Sequence, residues 1–206
     1  MDFKVNNKFQ KGSPAYVFLE RFNGDLASLP QPFILAISGG RDSIFLLHLF
    51  YSLYKEGYFR AEPVVFHLHH GLRDSADGDM EFAAEMSRKF GFAFYLERRD
   101  ASEFARRSKC GIEEAGRILR FRCLSRLVQN LGGCAVTGHH ADDYLESVLI
   151  HLIRGGGIGA FETLKLFSTI HGVPLFRPLV FFSRAEIDRM LRDERISYRE
   201  DETNSS

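Results

Sequence analysis

Two patterns of apolar and polar positions alternate along this 206-residue chain. The first is a short apolar run, seen at Phe33-Ile34-Leu35-Ala36-Ile37, Pro63–Leu68, Ala93–Leu96 and Cys134–Thr137. Runs of that length bounded by turn residues predict strands buried on both faces of a parallel sheet. The second pattern has helical spacing: Ile44, Leu47, Phe50, Tyr51 and Tyr54, to about Glu56, then Phe82, Ala83, Met86 and Phe90, stopped by Gly91. A polar loop from His69 to Gly78 precedes the second of these. Helices are also predicted over 101–109 and 112–131, split by Gly111 and closed by Gly132-Gly133, and over Ala141–Arg154 with Leu145, Val148, Leu149 and Leu152 on one face. Strand and helix in alternation predict an α/β fold, a doubly wound, mostly parallel sheet with helices on both faces, whose ligands bind beyond the carboxyl ends of the strands.

The flanks read differently. Residues 1–32 hold one amphipathic piece, Tyr16-Val17-Phe18-Leu19 with Phe22, and Pro30 and Pro32 stop any helix before the first strand. They form a helical extension docked beside the sheet, and 33–154 form the main domain. Gly155-Gly156-Gly157-Ile158-Gly159 reads as a flexible break and Val173–Leu179 as an extended segment. A helix then starts at Ser183, with Glu186 at the capping-box position and Ile187, Met190 and Leu191 as its apolar face. Residues 155–206 thus complete the same domain, and their polar end, Glu200–Ser206, is expected to fray.

Candidate chemistry starts at Ser38-Gly39-Gly40-Arg41-Asp42-Ser43, between the first strand and its helix. Two glycines let the backbone turn sharply, Ser43 can cap the helix, and unpaired helix N–H groups favour an anion. This cradle lacks the spacer and the Gly-Lys-Ser/Thr end of a Walker A loop, so a β/γ-phosphate clamp is not expected. The hexapeptide resembles the PP-loop, Ser-Gly-Gly-x-Asp-Ser, at every fixed position. That resemblance implies ATP cleaved between its α- and β-phosphates, with AMP passed to an oxygen.

A second motif, Thr137-Gly138-His139-His140-Ala141-Asp142-Asp143-Tyr144-Leu145-Glu146, stands at a strand end and helix start. Acidic residues in a first turn suit the helix dipole, but capping explains neither the two histidines nor Glu146. Asp143 and Glu146 share a helix face that can take an ammonium group or Mg²⁺. Here the chain resembles the tRNA(Ile)-lysidine synthetases, which carry Gly-His-His-x-Asp-Asp-Gln-x-Glu-Thr; Tyr144 and Ser147 depart from that pattern. His67-Leu68-His69-His70-Gly71-Leu72-Arg73 is similar to the family's His-Val-Asp-His-Gly-Leu-Arg, with His69 replacing Asp. Glu113–Phe121, Arg154–Gly157, Phe176–Leu179 with Arg184–Ile187, and Glu200–Asn204 resemble further family segments in the same order.

The resemblance implies that ATP adenylates the C2 oxygen of a wobble cytidine in an isoleucine tRNA with a CAU anticodon, and that the ε-amine of L-lysine then displaces AMP. It places ATP on Ser38, Gly39, Gly40, Arg41, Asp42 and Ser43, and Mg²⁺ on Asp42 and Asp142. Arg117 and Arg120, about one turn apart, would gather phosphate oxygens. Asp143 and Glu146 would hold the amine, and His139 or His140 would accept its proton. Family members continue past this point with an Arg-Asn-x-x-Arg stretch and helical RNA-recognition domains. The sequence ends at Ser206, so either it is a fragment or tRNA docking falls to the catalytic domain.

Composition changes little. Lys plus Arg and Asp plus Glu are 27 each, so there is no net field to draw in RNA and any tRNA site must be a local patch. Arg98, Arg99, Arg106, Arg107, Lys109, Arg117, Arg120, Arg122 and Arg126 supply one. No apolar run reaches the roughly 20 residues of a membrane span, which points to a soluble, cytoplasmic protein with no membrane partner. The number of subunits is not fixed, and a homodimer is compatible with the sequence. Cys110, Cys123 and Cys134 include no Cys-x-x-Cys pair, which argues against the tRNA thiolases of the same superfamily and for reduced thiols. An ATP-sensing module without catalysis has no need of the motif at 138–146. The histidines at 67, 69 and 70 alternate in face and lack a carboxylate partner in the sequence pattern, against a zinc site.

Overall fold

The computed structural model describes residues 8–71, 76–153, 165–170 and 172–199, the side chains of residues 150–152 excepted. The elements run α1 (Pro14–Arg21), β1 (Phe33–Ala36), α2 (Arg41–Lys55), β2 (Val64–His69), α3 (Ala76–Phe90), β3 (Ala93–Arg98), α4 (Ala101–Ser108), α5 (Ile112–Leu131), β4 (Cys134–Val136), α6 (Ala141–Ile153), β5 (Phe167–Ile170), β6 (Val173–Phe176) and α7 (Arg184–Asp193). Short 3₁₀ turns cover Leu26–Ser28 and Pro178–Phe181. The six strands lie in the order β3-β2-β1-β4-β6-β5. All neighbours are parallel except β5 and β6, which pair antiparallel with Phe167 opposite Phe176.

That order places a topological switch between β1 and β4. From β1 the chain winds outward through β2 and β3; from β4 it winds the other way to β6. The loops leaving β1 and β4 therefore diverge, and a crevice opens between them at the carboxyl ends. Both sequence motifs leave the sheet at that crevice.

Alternation along the central strands splits the core in two. Phe33, Leu35 and Ile37 face one layer with α1, α2 and α7, whereas Ile34 faces the other with Leu119, Cys123, Leu124 and Val128 of α5. Phenylalanine fills the first layer: Phe33 meets Phe59 with ring centroids 4.8 Å apart and Phe50 at 5.2 Å, both edge-on. The chain has 20 Phe and no Trp, and at the margin of this layer Tyr51 stacks on Phe90 and Tyr54 on Phe59. Arg21 of α1 binds Glu186 of α7 at 2.6 Å, which ties the N-terminal helix to the capping box that Ser183 and Glu186 form.

Four features differ from the sequence pattern. Strand β5 was not expected, because its alternately exposed residues make an edge strand with no apolar run. Helix α3 starts at Ala76, inside the stretch that reads as a polar loop, since Asp77 and Asp79 in its first turn suit the dipole. On α6 Val148 is buried, but Leu145 and Leu149 stand 59% and 58% exposed, so the apolar face is only partly covered by the described residues. Helix α2 begins at Arg41 with Gly40 as N-cap, so Ser43 lies inside the first turn rather than capping it. The glycine break at 155–159, Arg73 and the acidic end 200–206 lie outside the described residues. Among the described residues no helix is long and apolar enough to cross a membrane.

Candidate active site

Ser43 is the hub of the loop after β1. Its Oγ accepts the N–H of Ser38 at 3.2 Å and of Gly39 at 3.1 Å, and donates to the Gly40 carbonyl at 2.8 Å. Gly39 makes this possible with φ +98°, a conformation that costs other residues free energy. No side chain caps α2. Its first-turn N–H groups, which have no acceptor inside the helix, therefore open into the crevice and suit a phosphate.

The second loop is fastened to the first. A Cβ on Gly138 would sit 3.3 Å from the Asp42 carbonyl carbon, so the backbone after β4 rests directly on the first turn of α2. From the other side the segment after β6 holds it: Thr137 N–H donates to Phe176 O, Ala141 N–H to Phe182 O, and Arg184 N–H to Asp142 Oδ2 at 2.7 Å.

His140 sits at the centre, 6% exposed. Its Nε2 is 3.8 Å from Asp42 Oδ2, and its Nδ1 is 3.6 Å from both Asp142 Oδ2 and Asp143 Oδ2. The imidazole thus stands between Asp42 and the two carboxylates of α6. Asp143 Oδ2 also accepts the His140 N–H at 2.8 Å, half of a capping box. Glu146 lies exposed one turn further along α6. Thr137 Oγ1 is 2.8 Å from Nδ1 of His139. His139 keeps an exposed side, but desolvation by the protein, with Arg177 and Arg120 nearby, lowers its pKa against the pull of Asp143.

The cations are distributed unevenly. Arg41 is engaged, Nε to Asp42 Oδ1 at 2.9 Å and Nη1 to Asp188 at 3.3 Å. Burial works against its charge, but these two carboxylates outweigh it and raise its pKa. Arg117 and Arg120 are exposed on α5, and it is Arg120 whose charge reaches His139. Several cations of the basic patch are paired: Arg98 with Asp77, Arg99 with Glu97 and Arg107 with Glu103.

Other residues near the site have no role that the sequence pattern suggests. Arg177 is buried, with Nη1 bonded to Lys165 O at 2.9 Å and Ser168 Oγ at 2.8 Å and its Nε without a partner among the described residues. Burial lowers its pKa. The signal was an arginine in the otherwise apolar run Val173–Leu179. Nδ1 of His67 donates to Ile37 O at 2.8 Å, which steadies the strand end leading into Ser38. His69 does have a carboxylate neighbour, Asp77 at 3.2 Å, correcting the expectation from spacing; that contact depends on where α3 starts. Among the described residues no three His, Cys, Asp or Glu side chains converge as a metal site. Mg²⁺ carried in by phosphates needs only one or two protein carboxylates, and Asp42 and Asp142, on either side of His140, are the candidates for it.

A crevice of helix N–H groups at a sheet switch point, with carboxylates and an imidazole on the facing loop, defines a nucleotide-handling α/β domain. Residues 17–206 match the PP-loop domain family, and the chain belongs to it. It is 35% identical to the tRNA(Ile)-lysidine synthase of Leptospira interrogans serovar copenhageni over 85% of this chain and 40% of that protein. With the tRNA(Ile)-lysidine synthase of Chlorobaculum tepidum it shares 36% identity over 83% of this chain and 50% of the relative. The chain thus spans about half or less of the length of these curated relatives. In fold it is similar to a U34-tRNA thiolase from Methanococcus maripaludis, with TM-score 0.73 and 16% identity over 94% of this chain and 66% of that one. An NMN synthetase from Francisella tularensis shares the fold at TM-score 0.57 and 15% identity, over 95% and 73% of the two chains.

Proposed function

We propose that this chain is an ATP-dependent ligase that joins lysine to C2 of the wobble cytidine of an isoleucine tRNA with a CAU anticodon, working in the cytoplasm. The observation that carries the reading is the close approach of Gly138 to Asp42, which puts the PP-loop and the acidic motif of α6 on opposite walls of one crevice. The likeness in sequence to lysidine synthases supports the choice of substrates.

In this account the N–H groups of the first turn of α2 bind the α-phosphate. The cytidine O2 attacks the α-phosphorus, and pyrophosphate leaves. Asp42 and Asp142 would hold Mg²⁺ brought in with the phosphates, which would supply neutralisation of the departing charge, and Arg117 and Arg120 would assist it. Asp142, through its bond to Arg184, fixes α7 against α6. Asp143 and Glu146 orient the lysine ammonium. His139, with its Nδ1 2.8 Å from Thr137 Oγ1, accepts a proton from that ammonium as the amine nitrogen bonds to C2 and AMP leaves with the oxygen. Other cations of the patch would position the tRNA backbone without reading its sequence.

The test is pyrophosphate release from ATP and Mg²⁺. The account expects release with the CAU transcript and little with the same transcript carrying U at the wobble position. Equal release with both, or release without RNA, would contradict a cytidine acceptor.

A further inference from the structure

We propose that Arg199 is a positioning residue for the PP-loop, a latch that holds the Gly39–Gly40 backbone in its phosphate-receiving shape; the proposal rests on the reading of that loop as an ATP site. Residues after α7 return to the loop after β1. Arg199 N–H donates to Gly39 O at 3.1 Å, and Arg199 pairs with Gly40 as an isolated parallel bridge. The same residue reaches into α3, where its Nε donates to Asp79 Oδ1 at 2.6 Å. Asp79 in turn lies against the loop, since a Cβ on Gly39 would be 3.4 Å from the Asp79 carbonyl oxygen. Arg199 therefore bonds the loop with its backbone and the helix packed on the loop with its side chain.

Space beside the helix is shaped for this guanidinium. A Cβ on Gly78 would meet Arg199 Nη2 at 2.9 Å and Cζ at 3.1 Å. Gly78 sits in the first turn of α3, where alanine would be the better helix former. The ion pair is partly exposed, 42% for Arg199 and 28% for Asp79, so it adds little to global stability. Its effect falls on the loop. The peptide between Gly39 and Gly40 carries the N–H that Ser38 Oγ accepts at 3.4 Å, and its plane is set by the carbonyl that Arg199 holds.

The experiment uses the whole chain and α,β-methylene-ATP with Mg²⁺, read by titration calorimetry, with thermal unfolding in parallel. Arg199→Ala and Asp79→Asn should each weaken nucleotide binding about threefold to tenfold, and the double variant should lose no more than the worse single one. Arg199→Lys, which keeps the charge but not the fork, should retain part of the affinity. Gly78→Ala separates the latch from a structural role: it should keep or raise the melting temperature, yet weaken nucleotide binding as Arg199→Ala does. Gly78→Ala and Arg199→Ala binding as tightly as wild type, or more tightly, would overturn the latch and leave the ATP reading standing. A wild-type chain that binds no nucleotide would overturn both.

Discussion

Replacing Ser43 by alanine removes the hub of the nucleotide cradle and nothing else of comparable size. The Ser43 side chain is buried and accepts two backbone N–H bonds, from Ser38 and Gly39, while donating to the Gly40 carbonyl. Each such bond contributes roughly 0.5–1.5 kcal/mol net, and a buried polar group left unpaired costs about 1–3 kcal/mol. Water can reach part of this loop, so about 0.7–1 kcal/mol applies to each bond, and the three bonds together favour the closed shape by about 2–3 kcal/mol. At about 1.4 kcal/mol per decade, ATP should bind roughly thirty- to hundredfold more weakly. Helix α2 remains capped through Gly40 and packed by Ile44, Phe45 and Leu47, so urea unfolding should shift by only about 1–2 kcal/mol. Calorimetric titration of ATP into wild type and Ser43→Ala, beside urea curves, measures both. Affinity within about twofold of wild type, with Ser43→Ala folded, would refute the hub argument.

Glu146→Gln should raise the KM for lysine about tenfold or more and leave that for ATP within about twofold, since in the proposed reaction the lost charge faces the amine. Asp143→Asn should do the same and also destabilise the chain by about 1 kcal/mol, because its carboxylate caps the His140 N–H; equal shifts in both substrates would remove the amine assignment. Burial, with Lys89 nearby, lowers the pKa of His48 to about 4 from its ordinary 6.5. Between those values the unfolded chain binds a proton that the folded chain refuses, so stability falls as pH drops from 6.5 towards 4. The loss is about 1–2 kcal/mol once solvent access is allowed for. His48→Leu should flatten urea stability over that window, and an unchanged slope would contradict the assignment.

What was legible in the sequence was local. The α2 end of the cradle is written in six consecutive residues, and β1, β2 and β4 in apolar runs, so spacing alone located them. Harder to read were contacts joining distant segments. Arg199 and Asp79 meet across 120 positions, and neither stands in a recognisable pattern. Arg177 stands out as a charge in an apolar run, but its burial follows only from β6 lying between β4 and β5. The His69–Asp77 contact required α3 to begin two residues before Gly78, which helix periodicity could not tell. Ser43 belongs to the loop that its motif indicates but ties that loop instead of capping the helix, and the two kinds of serine look alike until the helix start is known.

The most direct measurement is the mass of the wobble nucleoside after the chain is incubated with ATP, Mg²⁺, L-lysine and the CAU transcript. The account predicts a cytidine that has gained lysine and lost one water. An unmodified cytidine, or one in which sulfur has replaced the C2 oxygen when a sulfur donor is supplied, would contradict it.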